Sequence, residues 1–186
     1  MSASVSDHAP HADAPVRLVP YDAAWPARFD SERAILERAL APWLIGPIEH
    51  IGSTAVPGLI AKPVIDIMAA VESLAVSRAA IPALAPLAYL YAPYKADVEH
   101  WFCKPSPALR THHLHLVPLR SPLWAERLAF RDHLRSHPHT AAEYAALKRR
   151  LARQHEFDRE AYTDAKAPFV QRVVAAELRR SRADAP

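Results

Sequence analysis

One cysteine in the whole chain, Cys103, rules out an internal disulfide and any zinc site built from four thiolates. It agrees with a reducing compartment, and Cys103 itself reads as a packed strand residue. Glycine is almost as scarce. Gly46, Gly52 and Gly58 are the only three, and they fall within thirteen residues of one another. Glycines so placed cannot build a G-x-G-x-x-G dinucleotide loop or a Walker A loop. Because glycine permits positive φ and close approach of the backbone to a ligand, special geometry is expected in that one stretch. No apolar run approaches the ~20 residues of a bilayer-spanning helix, and no basic segment followed by an apolar one opens the chain. No membrane partner is expected, and the chain reads as cytoplasmic. An excess of one charge is missing too. The net charge is +3, and the basic residues lie along the C-terminal helices, often beside Asp or Glu. That leaves a weak footprint for nucleic acid, confined to Lys148-Arg149-Arg150 and Arg179-Arg180.

What is present is a globular composition, 51% hydrophobic and 23% charged, over 186 residues, enough for one ordinary domain with a real core. Residues 1–15, rich in Ala, Ser, Asp, His and Pro, read as a disordered tail in which His8 and His11 are solvated. Residues 16–180 read as a single domain, with an α/β core over 16–120 and a helical extension over 121–180. Asp22 can cap a helix whose apolar face is Phe29, Ile35, Leu36 and Leu40, ending near Ala41. Strands are expected over 48–51, 64–71, 89–91, 98–104 and 113–119. An alanine-rich helix interrupted by Pro82 and Pro86 is expected over 74–87, and a turn over 105–108. Helices follow over 123–136, 141–155 and 158–180. The fold class is α/β (α+β), a small mixed sheet followed by a helical bundle.

The residues that carry chemistry surround Glu49-His50-Ile51-Gly52-Ser53-Thr54-Ala55-Val56-Pro57-Gly58 and Lys62-Pro63-Val64-Ile65-Asp66-Ile67-Met68. Asp66 lies on a strand apolar enough to be buried on both faces, where an unpaired carboxylate would be costly. Either a divalent cation carrying substrate phosphates partners it, or it sits at a strand end hydrogen-bonded to a turn. Period-two alternation puts His50 with Gly52, Asp66 with Met68, and His113 with His115 and Val117. If the strands are neighbours, His50, Asp66, His113 and His115 converge as metal ligands. Neutral imidazoles suit zinc, manganese or iron, and such a set with one carboxylate is softer than an all-carboxylate magnesium site. Each histidine can equally be a satisfied core residue. His113-Leu114-His115-Leu116-Val117 also resembles the histidine-triad nucleotide hydrolases, but Val117 stands where the third histidine belongs. Gly52-Ser53-Thr54 is not a G-x-S-x-G nucleophile elbow.

The Gly52-Ser53 pair, twelve residues and then Asp66 on an apolar strand resemble the signature of the polymerase β-type nucleotidyltransferase superfamily. The longer string from Glu49 to Gly58, with Lys62 to Ile67 and His113 to Val117, resembles the GrpB family (UPF0157). The similarity continues through Phe130 to Arg135, Tyr144, Leu147-Lys148, Tyr162, Lys166 and Phe169, spanning about residues 16–176. It implies a small nucleotidyltransferase core with C-terminal helices. In it Gly52, Ser53 and Thr54 hold phosphates, Asp66 is the catalytic acid, and Lys62, Arg131, Lys148 or Lys166 balance phosphate charge. The pattern departs from the superfamily where Met68 replaces the second acid and the His113 and His115 pair replaces the third.

Two functions follow as expectations. One is a metal-dependent nucleotidyltransferase, using Mg, Mn or Zn, a nucleoside triphosphate and an unknown acceptor. The other is a non-catalytic module that binds a nucleotide or other phosphorylated small molecule, or assists folding, like the GrpB-like domain fused to dephospho-CoA kinase. The sequence carries no signal for oligomeric state.

Overall fold

A computed structural model describes residues 15–93 and 95–183. The tail expected over 1–15, with His8 and His11, lies outside the described residues except for residue 15. Helix α1, Trp25–Leu40, carries Pro26 in its first turn, where a missing N–H costs nothing. Asp22 accepts a hydrogen bond from the Ala24 amide at 2.9 Å just before it. Its buried residues Trp25, Phe29, Glu32, Leu36 and Leu40 recur at helical spacing and form one face.

Strand β1, Leu44–Ile51, begins four residues earlier than its apolar pattern indicates and carries a register irregularity between Leu44 and Ile48. A 3-10 turn over Ser53–Ala55 and a loop lead to β2, Ile65–Val71. The helix expected over 74–87 is instead two short helices, α2 (Leu74–Ser77) and α3 (Ala80–Leu84), with a 3-10 turn over Ala85–Leu87. Pro82 and Pro86 remove the amide donors that one continuous ladder needs. Strands β3 (Leu90–Ala92), β4 (His100–Pro105) and β5 (Arg110–Pro118) complete the sheet.

Helix α4, Pro122–Ser136, is capped by Ser121, whose hydroxyl accepts from the Trp124 amide, and α5 spans Pro138–Gln154. The last helix expected is divided into α6 (Arg159–Asp164), capped by Asp158, and α7 (Ala167–Ala183). Pro168 fits the first turn of α7 and could not sit in the middle of a longer helix.

The five strands lie in the order β1-β2-β5-β4-β3, with β2 and β5 parallel and the other neighbours antiparallel. One face of the sheet is apolar and is covered by α1: Ile65, Ile67, Val71, Phe102, Leu114 and Leu116 meet Trp25, Phe29, Leu36 and Leu40. The other face begins apolar, where Met68, Ala70 and Val117 pack under Trp124 of α4, and then becomes polar. The polar part lies beneath the C-terminal helices.

Candidate functional site

Strand register decides which polar residues share that second face. β2 and β5 pair Asp66 with His113 and Met68 with His115, so all four point to the same side. β5 and β4 pair His115 with Trp101, which places the Trp101 ring there as well. Ile51 is the partner of Asp66 across β1 and β2, which leaves His50 opposite Ile67 and facing away. The expected convergence therefore excludes His50. Its imidazole stacks on Phe29, centroids 4.7 Å apart, and burial pulls it down from 6.5 to about 4. Alternation fixes which side of its own strand a residue faces, but the offset between two strands is set by pairing and turn geometry.

His50 Nε2 lies 3.0 Å from Thr54 Oγ1, and that hydroxyl donates to the Val64 carbonyl at 3.3 Å. The single Thr54 proton is thereby used, so His50 donates to Thr54. Thr54 is 1% exposed and borders the cavity, and its hydroxyl fastens the turn to the residue that precedes β2. Arg131, expected to balance phosphate charge, is likewise engaged elsewhere. Its guanidinium donates to Glu49, Asp132 and the His50 carbonyl at 2.6, 2.7 and 3.0 Å, and it does not line the cavity.

The cavity on the polar face has a volume of about 500 Å³, and Gly52, Ser53, Lys62, Asp66, His113, His115, Lys148 and Lys166 line it. At Gly52 φ is +69° and ψ −169°, a region essentially closed to other residues, and an added Cβ would overlap the Asp66 carboxylate. The scarce glycine thus lets the Ser53 turn lie directly on the β2 acid. His113 Nδ1 is 2.8 Å from Asp66 Oδ1. Burial raises the Asp66 carboxyl, but the hydrogen bond from His113 and the electrostatic influence of the neighbouring His113, His115 and Lys62 side chains outweigh it. The carboxyl is held well below the usual carboxylate range.

A second pair lies alongside. His115 Nδ1 is 2.7 Å from Glu99 Oε2, and Arg127 reaches both Glu99 oxygens at 2.9 Å. Burial opposes ionisation of Glu99, but His115 and Arg127 together pull it down to about 2. Burial lowers His115 itself, and the Arg127 charge adds to that. The consistent state is an ionised Glu99 accepting the Nδ1–H of a neutral His115, which leaves Nε2 of that ring as an acceptor. Glu99 and Arg127 do not stand out as site residues in the sequence.

On the opposite wall, Lys148 donates to Ser53 Oγ at 3.0 Å and to the Ile60 carbonyl, with its ammonium 4.9 Å from the Tyr144 ring centre. The Lys166 ammonium stands 4.2 Å and that of Lys62 5.3 Å from the Tyr162 ring centre. Lys148 is 2% exposed and Lys166 half-buried, and neither forms an ion pair with an acid among the described residues. Both are pulled from 10.5 down to about 7, first by burial and then by neighbouring cations, Lys166 acting on Lys148 and Lys62 on Lys166.

Among the described residues no three His, Cys, Asp or Glu are placed to bind one ion. Asp66 and His113 engage each other, His115 engages Glu99, and His50 is on the far face. Met68 is fully buried among Ile51, Ala70, Val117 and Trp124. Nor is any helix among the described residues long and apolar enough to cross a membrane.

Comparison with known proteins places this arrangement. The family described as GrpB protein matches residues 15–176. A UPF0157 protein of Pseudomonas aeruginosa is 40% identical over 172 residues, 90% of this chain and 69% of that one. The crystal structure of conserved protein GrpB from Enterococcus faecalis superposes with a TM-score of 0.80 at 30% identity, covering 89% of this chain and 99% of that chain. A dephospho-CoA kinase of Mycolicibacterium paratuberculosis is 32% identical over 183 residues, 85% of this chain but only 45% of the kinase.

Proposed function

The chain belongs to the GrpB family, and from that premise we propose that its cavity binds the phosphate groups of a nucleotide or another phosphorylated small molecule. The observation that carries this reading is the pair of lysines, Lys148 and Lys166, held against aromatic rings with no acid partner among the described residues. Burying an ammonium without a counter-charge is costly, and a ligand phosphate supplies the missing charge. Lys148 has three N–H donors and spends two on Ser53 and Ile60, so one remains for a phosphate oxygen. Lys62 and Ser53 lie on the same wall, and the tyrosine faces beneath the ammoniums hold them in place. The relative that joins a similar region to a dephospho-CoA kinase makes phosphorylated nucleotide derivatives the first ligands to try.

Metal-dependent nucleotidyl transfer has less support. It requires hard oxygen ligands for two cations, and Met68 offers none. The two readings separate in one titration. Calorimetry with tripolyphosphate, ATP and dephospho-CoA is expected to show binding that weakens with salt and is lost in the Lys148→Met, Lys166→Met double variant. Absence of binding for all three probes would remove the proposal. Consumption of ATP that requires added magnesium and disappears in Asp66→Ala would restore the transferase.

A further inference from the structure

The cavity holds two carboxylate-imidazole pairs side by side, His113 on Asp66 and His115 on Glu99, with ring centres 6.5 Å apart and planes nearly perpendicular. A phosphate-binding site does not need them. Neutral rings that donate Nδ1–H to a carboxylate present Nε2 as a lone pair of fixed direction. The two rings are not equivalent. His113 Nε2 is buried without a hydrogen-bond partner among the described residues, close under the tilted Trp101 ring. His115 lines the cavity with a side chain 10% exposed, and its carboxylate is itself clamped by Arg127, giving a rigid chain Arg127–Glu99–His115. Such a chain sets both the orientation and the tautomer of an imidazole that accepts protons through Nε2.

On the phosphate-binding reading above, we propose that the protein is a metal-independent phosphoryl-transfer enzyme in which His115 Nε2 is the general base. His115 takes the proton of an attacking hydroxyl, from water or a small alcohol, as that oxygen bonds to phosphorus. The bond between phosphorus and the leaving oxygen breaks, and the Lys166 ammonium gives that oxygen its proton. The imidazolium and the lysine amine then return to their starting states by one proton exchanged through solvent. No electron is transferred, and the only co-reactant is the hydroxyl compound. Lys62 and Lys148 hold the non-bridging oxygens, whose negative charge in this scheme needs no cation beyond the lysines. Glu99 acts as a positioning residue, since it holds the Nδ1 side of the His115 imidazole.

The test uses the full chain dialysed against EDTA, with p-nitrophenyl phosphate, bis(p-nitrophenyl) phosphate and ATP as probes and product release as the readout. Turnover is expected to persist in EDTA and to fall about a hundredfold or more in His115→Gln. Tripolyphosphate affinity is expected to be unchanged in that variant. In Glu99→Gln, kcat is expected to fall with KM unaltered. Nitrogen-15 NMR of the wild-type chain checks the same claim without a variant, because His115 must be protonated at Nδ1 and not at Nε2. Tripolyphosphate binding without metal-free turnover of any probe, or the opposite His115 tautomer, overturns the inference and leaves the anion site standing. Loss of tripolyphosphate binding in the wild type overturns both.

Discussion

Neighbouring residues of the same strands meet two different kinds of surroundings. Ile67 and Leu114 face α1 at 0% exposure within a continuous apolar cluster, while Asp66, His113 and His115, each one position away, face the cavity. His50 belongs by register to the first group and His115 to the second. The same side chain is a neutral stacking partner on one face and a carboxylate-bound acceptor on the other. Residue type therefore says little here, and the side of the sheet says most. The α1 face stabilises the fold by burial, whereas the cavity face keeps cations and imidazoles in places where burial alone would not put them.

The sharpest way to break this contrast is to exchange losses between the faces. Leu114→Ala is expected to destabilise the chain by about 2–5 kcal/mol in urea unfolding, leaving tripolyphosphate affinity of the folded protein intact. Gly52→Ala is the next largest. It forces a backbone region that costs about 1–3 kcal/mol and pushes on the Asp66 carboxylate, so stability and tripolyphosphate binding should fall together. Lys166→Met should show the opposite pattern, with a midpoint no lower than wild type and affinity reduced about tenfold, or ~1.4 kcal/mol.

The smallest effect on affinity is that of pH. Lys148 and Lys166 carry full charge below about 7 and lose it above, so tripolyphosphate affinity should decline severalfold as pH rises through that value. Unfolding restores both groups to the ordinary 10.5, so the unfolded chain binds more protons between about 7 and 10.5 and stability should rise with pH across that window. Lys148→Met should flatten both curves, as read by calorimetry and by thermal melts.

Much of the architecture was legible along the chain. The apolar runs at 64–71 and 113–119 mark β2 and β5 to within a few residues, and the mixed sheet with C-terminal helices is as expected. The breaks that precede the turns holding Pro82, Pro86 and Pro168 are less legible, because proline tells that a ladder must stop nearby but not whether a new helix starts at once. In the site, Gly52, Ser53, Thr54, Lys62, Asp66, His113, His115, Lys148 and Lys166 do line one cavity. His50 and Arg131 do not, since their positions depend on pairing offset and on local acids such as Glu49 and Asp132. Glu99 and Arg127 meet across long sequence separation, and nothing in their local pattern announces it.

The central claim is that a bound anion completes the charge balance of the lysine wall. Titrating the wild-type chain with tripolyphosphate near neutral pH, in two buffers of different ionisation enthalpy, tests it most directly. Binding accompanied by net proton uptake, absent in the Lys148→Met, Lys166→Met double variant, is the predicted result. Binding with no proton linkage, or undiminished in the double variant, would contradict the account.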